Sequence, residues 1–408
     1  MGGILIVGAG QAGASAAVAL RQGGHSGPVT LVGAEPDLPY ERPPLSKEYL
    51  AGEREPERLL LRPPGFWAER DVTVRTGVTI VAIDPHVRTA TATSGETFGW
   101  DRLIWAAGGR ARRLSCPGGG LAHVIRTRAD VDALRAALPD ARRVVIIGGG
   151  YIGLEAAAVL TKLGHAVTVV EALPRLLARV AGPEVSDWYL ALHRRHGVEV
   201  RLGASVVAIE GDARPEAVRL DGGERLAADL VIAGVGLVPE VGPLAEAGAD
   251  CPNGVRVDGY CRTSLAGIYA IGDCALHANR FAGGAEVRLE SVQNASDMAK
   301  TAAAHILAGD AAPPYHALPW FWSNQYDARL QTVGLAVGAD QRVVRGDPAS
   351  GSWSLAYLRA GALVALDGIN APKDYMGARG LIERGARVSP ERLADTSVPM
   401  KAMEGQAA

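Results

Sequence analysis

The chain has 408 residues, too many for one hydrophobic core, so two or three domains are expected. Hydrophobic residues make up 48% and charged residues 21%, and a formal net charge of −2 gives no global reason to expect nucleic acid or an anionic membrane as partner. The 51 glycines suit an α/β fold with many tight turns, while Cys116, Cys251, Cys261 and Cys274 form no CxxC pair and no zinc-like spacing. These cysteines read as reduced thiols, and no metal site is expected from the scattered histidines; His193 and His196 share one helical face and read as solvated basic surface.

In chain order, the apolar run Ile4–Val7 predicts a strand that leads straight into a glycine turn rather than a signal-peptide cleavage site. A helix is expected over Ala14–Gln22, closed by Gly23-Gly24, and a strand over Val29–Val32. Leu38–Leu61 is rich in Pro and charge and reads as loop with a short helix. Strands follow over Val72–Asp84 and Thr89–Thr97, then an apolar run into Ala106-Ala107-Gly108-Gly109. The opening pattern then returns: strand Arg143–Ile147, helix Leu154–Leu163 closed by Gly164, strand Ala166–Val170. Later apolar runs are Leu230–Gly236 and Ile268–Asp273. From Pro319 the texture changes to alternating stretches, Arg329–Ala336 and Ser352–Leu358, which predict a small α+β domain with a frayed end over the last dozen residues. No stretch is long and apolar enough to span a bilayer, so the reading is a soluble, cytoplasmic protein.

The repeat carries the chemistry. Gly8, Gly10 and Gly13 in the first copy, and Gly148, Gly150 and Gly153 in the second, form GxGxxG between a strand and a helix. That context is what the motif requires: glycines let the backbone approach a pyrophosphate, which rests on the N–H groups and dipole at the helix start. An acidic residue follows each, Glu35 at 22 residues past Gly13 and Glu171 at 18 past Gly153, placed to hydrogen-bond a ribose diol. Ala12, Ala34 and Ile152 belong to the same two cofactor-binding segments. A carboxylate at Glu171 repels a 2′-phosphate and favours NADH over NADPH, although Arg175 and Arg179 lie close in sequence.

Several longer strings go further: Arg42-Pro43-Pro44-Leu45-Ser46-Lys47, Gly148–Glu155, Ile271-Gly272-Asp273-Cys274, Glu290–Ala295 and Pro319-Trp320-Phe321-Trp322-Ser323. On these the sequence resembles the NADH-dependent ferredoxin reductases of bacterial oxygenase systems (putidaredoxin reductase-like FAD/NAD(P)-binding oxidoreductases) over nearly its whole length. The resemblance implies an α/β fold with two Rossmann-like dinucleotide-binding domains, glutathione-reductase-like, plus a small α+β C-terminal domain. An FAD-binding domain of residues 1–113 and 245–318 is interrupted by an NAD-binding domain, 114–244, and followed by 319–408. It implies that Arg42 and Lys47 lie along FAD, with Lys47 near the isoalloxazine and paired with Glu155, and that Tyr151 sits where the nicotinamide stacks. Asp273 with Gly272, Val292, Ile80, Arg126, Ala106 and Gly108 are implied on the FAD side, and Val235 with Gly236 on the NADH side. Trp322 shields the flavin edge or a partner surface, with core packing as the alternative. Two strings depart from the common pattern: Ala106-Ala107-Gly108-Gly109 lacks a hydroxyl near the flavin, and Asn370-Ala371-Pro372 lacks a charge.

With no cysteine between Glu35 and Cys116, a thiolate relay beside the flavin has no nucleophile. Electrons would leave reduced FAD singly for a 2Fe–2S ferredoxin that serves a monooxygenase or dioxygenase. A monomer meeting that acidic partner through Arg110, Arg112, Arg113, Arg194 and Arg195 is the expectation. Two alternatives stay open: an NADH oxidase or monodehydroascorbate-type reductase, and a redox sensor of the apoptosis-inducing-factor type.

Overall fold

The computed structural model describes residues 3–403. They form two compact units, one of residues 3–41, 59–110 and 239–321, the other of 42–58, 111–238 and 322–403.

The first unit is built on the parallel strands β1 (Ile4–Val7), β2 (Val29–Val32), β3 (Val72–Arg75), β4 (Arg102–Trp105) and a strand at Ile268–Ala270. Their order is Ile268–Ala270, β4, β1, β2, β3, with Ile4 level with Val29 on one side and Arg102 on the other. The central strands are continuous apolar runs because both faces of a parallel sheet are covered. Helix α1 (Gln11–Gln22) leaves β1 and buries Ala12, Ala14, Ala16, Ala17 and Leu20. It packs on the long helix Val292–Ala308, whose buried residues Ala295, Ala299, Ala302 and Ala303 are equally small and allow close approach. The expected strand Val72–Asp84 is two strands in different sheets, broken around Gly77, which takes a left-handed φ of 70°. The second of these, Ile80–Asp84, forms an antiparallel meander with Thr89–Ala92 and Thr97–Gly99.

In the second unit β5 (Arg143–Ile147) lies between β6 (Ala166–Glu171) and β7 (Leu230–Ala233), with Glu199–Leu202 at the edge beyond β6, all parallel. Helix α2 (Tyr151–Lys162) connects β5 to β6, and α3 (Pro183–Arg195) follows. The C-terminal part is a five-stranded sheet, ordered β8 (Trp320–Gln325), β9 (Ala328–Gly334), β12 (Ala362–Ile369), β11 (Ser352–Arg359), β10 (Gln341–Asp347), packed by helix α4 (Pro372–Glu383). Both helices after the glycine turns start three residues earlier than their alanine-rich stretches suggest, so Gly13 and Gly153 lie inside the first turn. The expected fraying is wrong for the described part of the tail, because Met400 and Met403 are buried and close the sheet–helix layer. The remainder of that expectation, residues 404–408, lies outside the described residues.

Candidate functional site: two dinucleotide cradles and a buried ion pair

The first cradle is the turn between β1 and α1. Gly8 takes a φ of 113°, which favours glycine, and a Cβ there would collide with the Ala106 carbonyl beyond β4. A Cβ on Gly13 would strike the Gly8 carbonyl, so the turn can close only with hydrogen at that position. Gly10, the N-cap, has open space in front of it and no side-chain cap, which leaves the α1 N–H groups accessible to an anion. Ala34 is exposed at the end of β2, and the Glu35 carboxylate next to it accepts a 2.5 Å hydrogen bond from the Tyr40 hydroxyl. Gly272 packs against Ala12 and sets the partly buried Asp273 near the start of α1. The Ser291 hydroxyl caps the helix that begins at Val292, accepting from the Asn294 N–H at 3.1 Å. Gln11 donates to Ser15 and Ser296, a small polar cluster joining the two helices. Ile80 is buried in its own meander, and Gly108 takes a φ of 64°.

The second cradle repeats this backbone. Gly148 has a φ of 110° and abuts the Gly234 carbonyl, Gly153 abuts Gly148, and Gly150 faces open space. Val235 and Gly236 therefore stand to this turn as the Ala106–Gly108 segment stands to the first. The Glu171 carboxylate closes β6 and accepts from two backbone N–H groups, Gly149 at 2.6 Å and Leu173 at 2.8 Å, which fixes it beside the turn. Arg175 is tied by its guanidinium to the carbonyls of Ala178 and Ala181 and to the Ser186 hydroxyl. Ile152 is 43% exposed at the helix start.

Glu155 lies in the first turns of α2 and is 2% exposed, yet its carboxylate is fully engaged. Oε2 accepts from Lys47 Nζ at 2.7 Å and Ser46 Oγ at 2.5 Å, and Oε1 accepts from Ser323 Oγ at 2.7 Å. The carboxylate is buried and the ammonium only partly so; a carboxylate taken out of water needs its oxygens satisfied, and here both are. Within the same unit Arg42 donates to the Arg126 carbonyl at 2.5 Å, just before the Thr127–Asp130 capping box of the helix Arg128–Ala137. Tyr151 is partly exposed, with its hydroxyl end desolvated; burial, then the negative charges of Asp367 and Glu155 and the neighbouring Tyr189, push its phenol well above the usual range. Asp367 is buried on β12 and its carboxyl is pushed up to about 7 by burial, although the Tyr357 hydroxyl donates to it at 2.5 Å. That hydroxyl also accepts from the Gly182 N–H at the start of α3, at 2.8 Å.

The candidate residues thus fall into both units. Gly8–Glu35, Ile80, Ala106, Gly108, Gly272, Asp273 and Val292 belong to the first; Arg42, Lys47, Arg126, the second cradle and the partly buried Trp322 belong to the second. One expectation fails. His193 is not solvated surface but fully buried, its imidazole pushed down to about 4 by burial, and it contacts Gln325. Ser323 and Gln325 join this cluster although no motif marks them; two polar residues at i and i+2 on a strand share one face, and a buried polar face is the signal they carry. All four cysteines are free, and burial pushes the Cys274 thiol up to about 12, far from a reactive thiolate.

Residues 3–299 match the pyridine nucleotide-disulphide oxidoreductase family, and residues 320–404 the reductase C-terminal family. The chain belongs to the pyridine nucleotide-disulphide oxidoreductase family, whose chemistry uses FAD and NAD(P)H. It is 58% identical over 402 residues to the 5,5′-dehydrodivanillate O-demethylase ferredoxin reductase subunit of a Sphingobium species, covering 97% of each chain. It is 52% identical to a ferredoxin–NAD(P)+ reductase of a Sphingomonas species, covering 98% of this chain and 96% of that one. Its structure is similar to the reductase in the covalent putidaredoxin reductase–putidaredoxin complex, with a TM-score of 0.95 at 38% identity and 98% of both chains covered. The cradles fit the two cofactors: each offers an open helix N-terminus at a glycine where a Cβ would occupy the approach, and in the second the Glu171 carboxylate is bonded to the turn itself. No helix among the described residues is long and apolar enough to cross a membrane.

Proposed function

We propose that this chain is an NADH-dependent ferredoxin reductase that works as a cytoplasmic monomer and serves an oxygenase system through a 2Fe–2S ferredoxin. A bound FAD would supply the conversion of a hydride's electron pair into single electrons, which such a partner requires. The first cradle, with Gly8, Gly10, Ala12, Gly13, Ala34 and Glu35, holds the FAD pyrophosphate and ribose, assisted by Arg42, Ile80, Ala106, Gly108, Arg126, Gly272, Asp273, Val292 and Trp322. The second cradle, with Gly148, Gly150, Ile152, Gly153, Glu171, Val235 and Gly236, holds NADH. Its specificity is supported by the fixed Glu171 carboxylate and by the engagement of Arg175 with local carbonyls, which keeps that guanidinium from a 2′-phosphate. Residues 1–113 with 245–318 form the FAD domain, 114–244 the NAD domain and 319–408 the C-terminal domain.

Lys47, fixed by Glu155, would supply a cation to the flavin ring, and Tyr151, kept a neutral phenol by burial, would lie beside the nicotinamide. The observation that carries this reading is the doubled cradle together with the part-buried Lys47–Glu155 pair, in a chain whose buried thiols are unsuited to relay electrons. NADH-driven reduction of cytochrome c, with and without a 2Fe–2S ferredoxin, tests it. The expected result is strong dependence on ferredoxin that weakens as ionic strength rises, because exposed Arg110, Arg112, Arg113, Arg194 and Arg195 steer an acidic partner. Rapid NADH consumption regardless of ferredoxin would make the protein an oxidase, and a persistent NAD complex with slow reduction would make it a sensor.

A further inference from the structure

The hydrogen bonds on Glu155 continue beyond it. Ser323 Oγ, which donates to Glu155 Oε1, lies 3.1 Å from Gln325 Nε2, and Gln325 Oε1 lies 2.8 Å from His193 Nε2. Ser323, Gln325 and His193 are each at most 1% exposed, and all sit in the second unit. The direction of the chain follows from its charged end. A carboxylate facing an ammonium can only accept, so Ser323 must spend its single hydrogen on Glu155. Its oxygen is then an acceptor, which turns the Gln325 amide NH2 toward it. The Gln325 carbonyl consequently faces His193, which must carry its proton on Nε2. The neutral imidazole satisfies this, and its Nδ1 is buried without a partner among the described residues. Every hydrogen therefore points toward Glu155.

We infer that His193, Gln325 and Ser323 form a polarised relay that positions Glu155, and through it Lys47, for hydride transfer. None of the three touches the reacting atoms; they are positioning residues. Glu155 Oε2 is shared by Ser46 and Lys47, whereas among the described residues Oε1 accepts from Ser323. Without Ser323 the carboxylate is held at Oε2 only, loses one restraint on its last torsion, and holds the ammonium less firmly. The relay rests on the reading of Lys47 and Glu155 as the flavin-facing pair.

The test uses the full-length holoenzyme with Ser323→Ala, Ser323→Thr and Gln325→Leu. Single-turnover flavin reduction by NADH should slow about tenfold in Ser323→Ala and Gln325→Leu, the scale of one hydrogen bond to a charged group. NADH affinity should stay within about twofold, since the cradle is untouched. The flavin midpoint potential should fall in both variants, and Ser323→Thr, which keeps the hydroxyl, should restore rate and potential. Unchanged rate and potential in Ser323→Ala would reduce the chain to a structural tie between α3 and β8 and overturn the relay. A separate arm needs no turnover: nitrogen NMR of the histidine ring should show the Nε2–H tautomer, and the Nδ1–H tautomer would reverse the chain and overturn it as well. Failure of the unmodified protein to accept electrons from NADH would sink the functional reading, while the tautomer would still decide the relay.

Discussion

The two cradles share one backbone and differ in what their helices carry. Gly8 and Gly148 have nearly the same φ, and Gly13 and Gly153 each abut the carbonyl five residues back. After the first turn, α1 presents small apolar residues to a neighbouring helix and its polar groups tie helix to helix. After the second, α2 presents Tyr151 and Glu155, a phenol and a carboxylate that no packing demand explains. Turn and helix dipole are common to both copies; the difference between them lies in the first two turns of the helix that follows.

The sharpest way to break that comparison is to close each cradle separately. Gly13→Ala places a Cβ against the Gly8 carbonyl and should give protein without flavin, read as loss of the visible absorbance relative to protein absorbance. Gly153→Ala makes the same collision in the second copy; it should keep its flavin and its reduction by dithionite while NADH-driven reduction falls about a hundredfold or more. Loss of flavin in both variants would mean that the cradles are not independent. Next in size, Glu171→Ala removes the carboxylate beside the second turn, and titration should show NADH affinity falling about tenfold with its advantage over NADPH narrowed. Unchanged selectivity would place ribose recognition elsewhere.

The smallest expected effect concerns Asp367. Burial raises its carboxyl to about 7 from an ordinary 3.8, so the native state binds its proton more tightly than the unfolded chain. Its favourable contribution is complete below about pH 4 and is lost as pH rises through about 7. Asp367→Asn keeps an acceptor for Tyr357 and removes the ionisation. Thermal unfolding should then lose this part of its pH slope, leaving the variant more stable by a few degrees above pH 7. A melting temperature equal to that of the unmodified chain at pH 8 would show that Asp367 ionises at no cost.

Both cradles were legible in the sequence because their signals are local: an apolar run, three spaced glycines, an acid at the end of the next strand. The helix starts were placed late because Gly13 and Gly153 read as turn, although the dipole they help to build needs them inside the helix. His193 was misread for the opposite reason. Its helical partner His196 is exposed, and the residue that His193 contacts, Gln325, arrives 132 residues later on a strand of the C-terminal sheet. The pairing of Lys47 with Glu155 spans 108 residues and was available only through family resemblance, because no periodicity links a loop to a helix at that distance. Met400 and Met403, three apart near the chain end, did carry a helical signal that the polar residues around them obscured.

Glu155 is addressed from the front of the chain by Ser46 and Lys47 and from the far end by Ser323. Ser323 falls inside the region matched to the reductase C-terminal family, residues 320–404. A chimera that exchanges this region with a relative's, in order to redirect electrons to a different acceptor, therefore also exchanges the hydroxyl that holds the carboxylate. Among the described residues one hydroxyl of that region reaches the Glu155 carboxylate, and a graft must carry a matching donor across the seam.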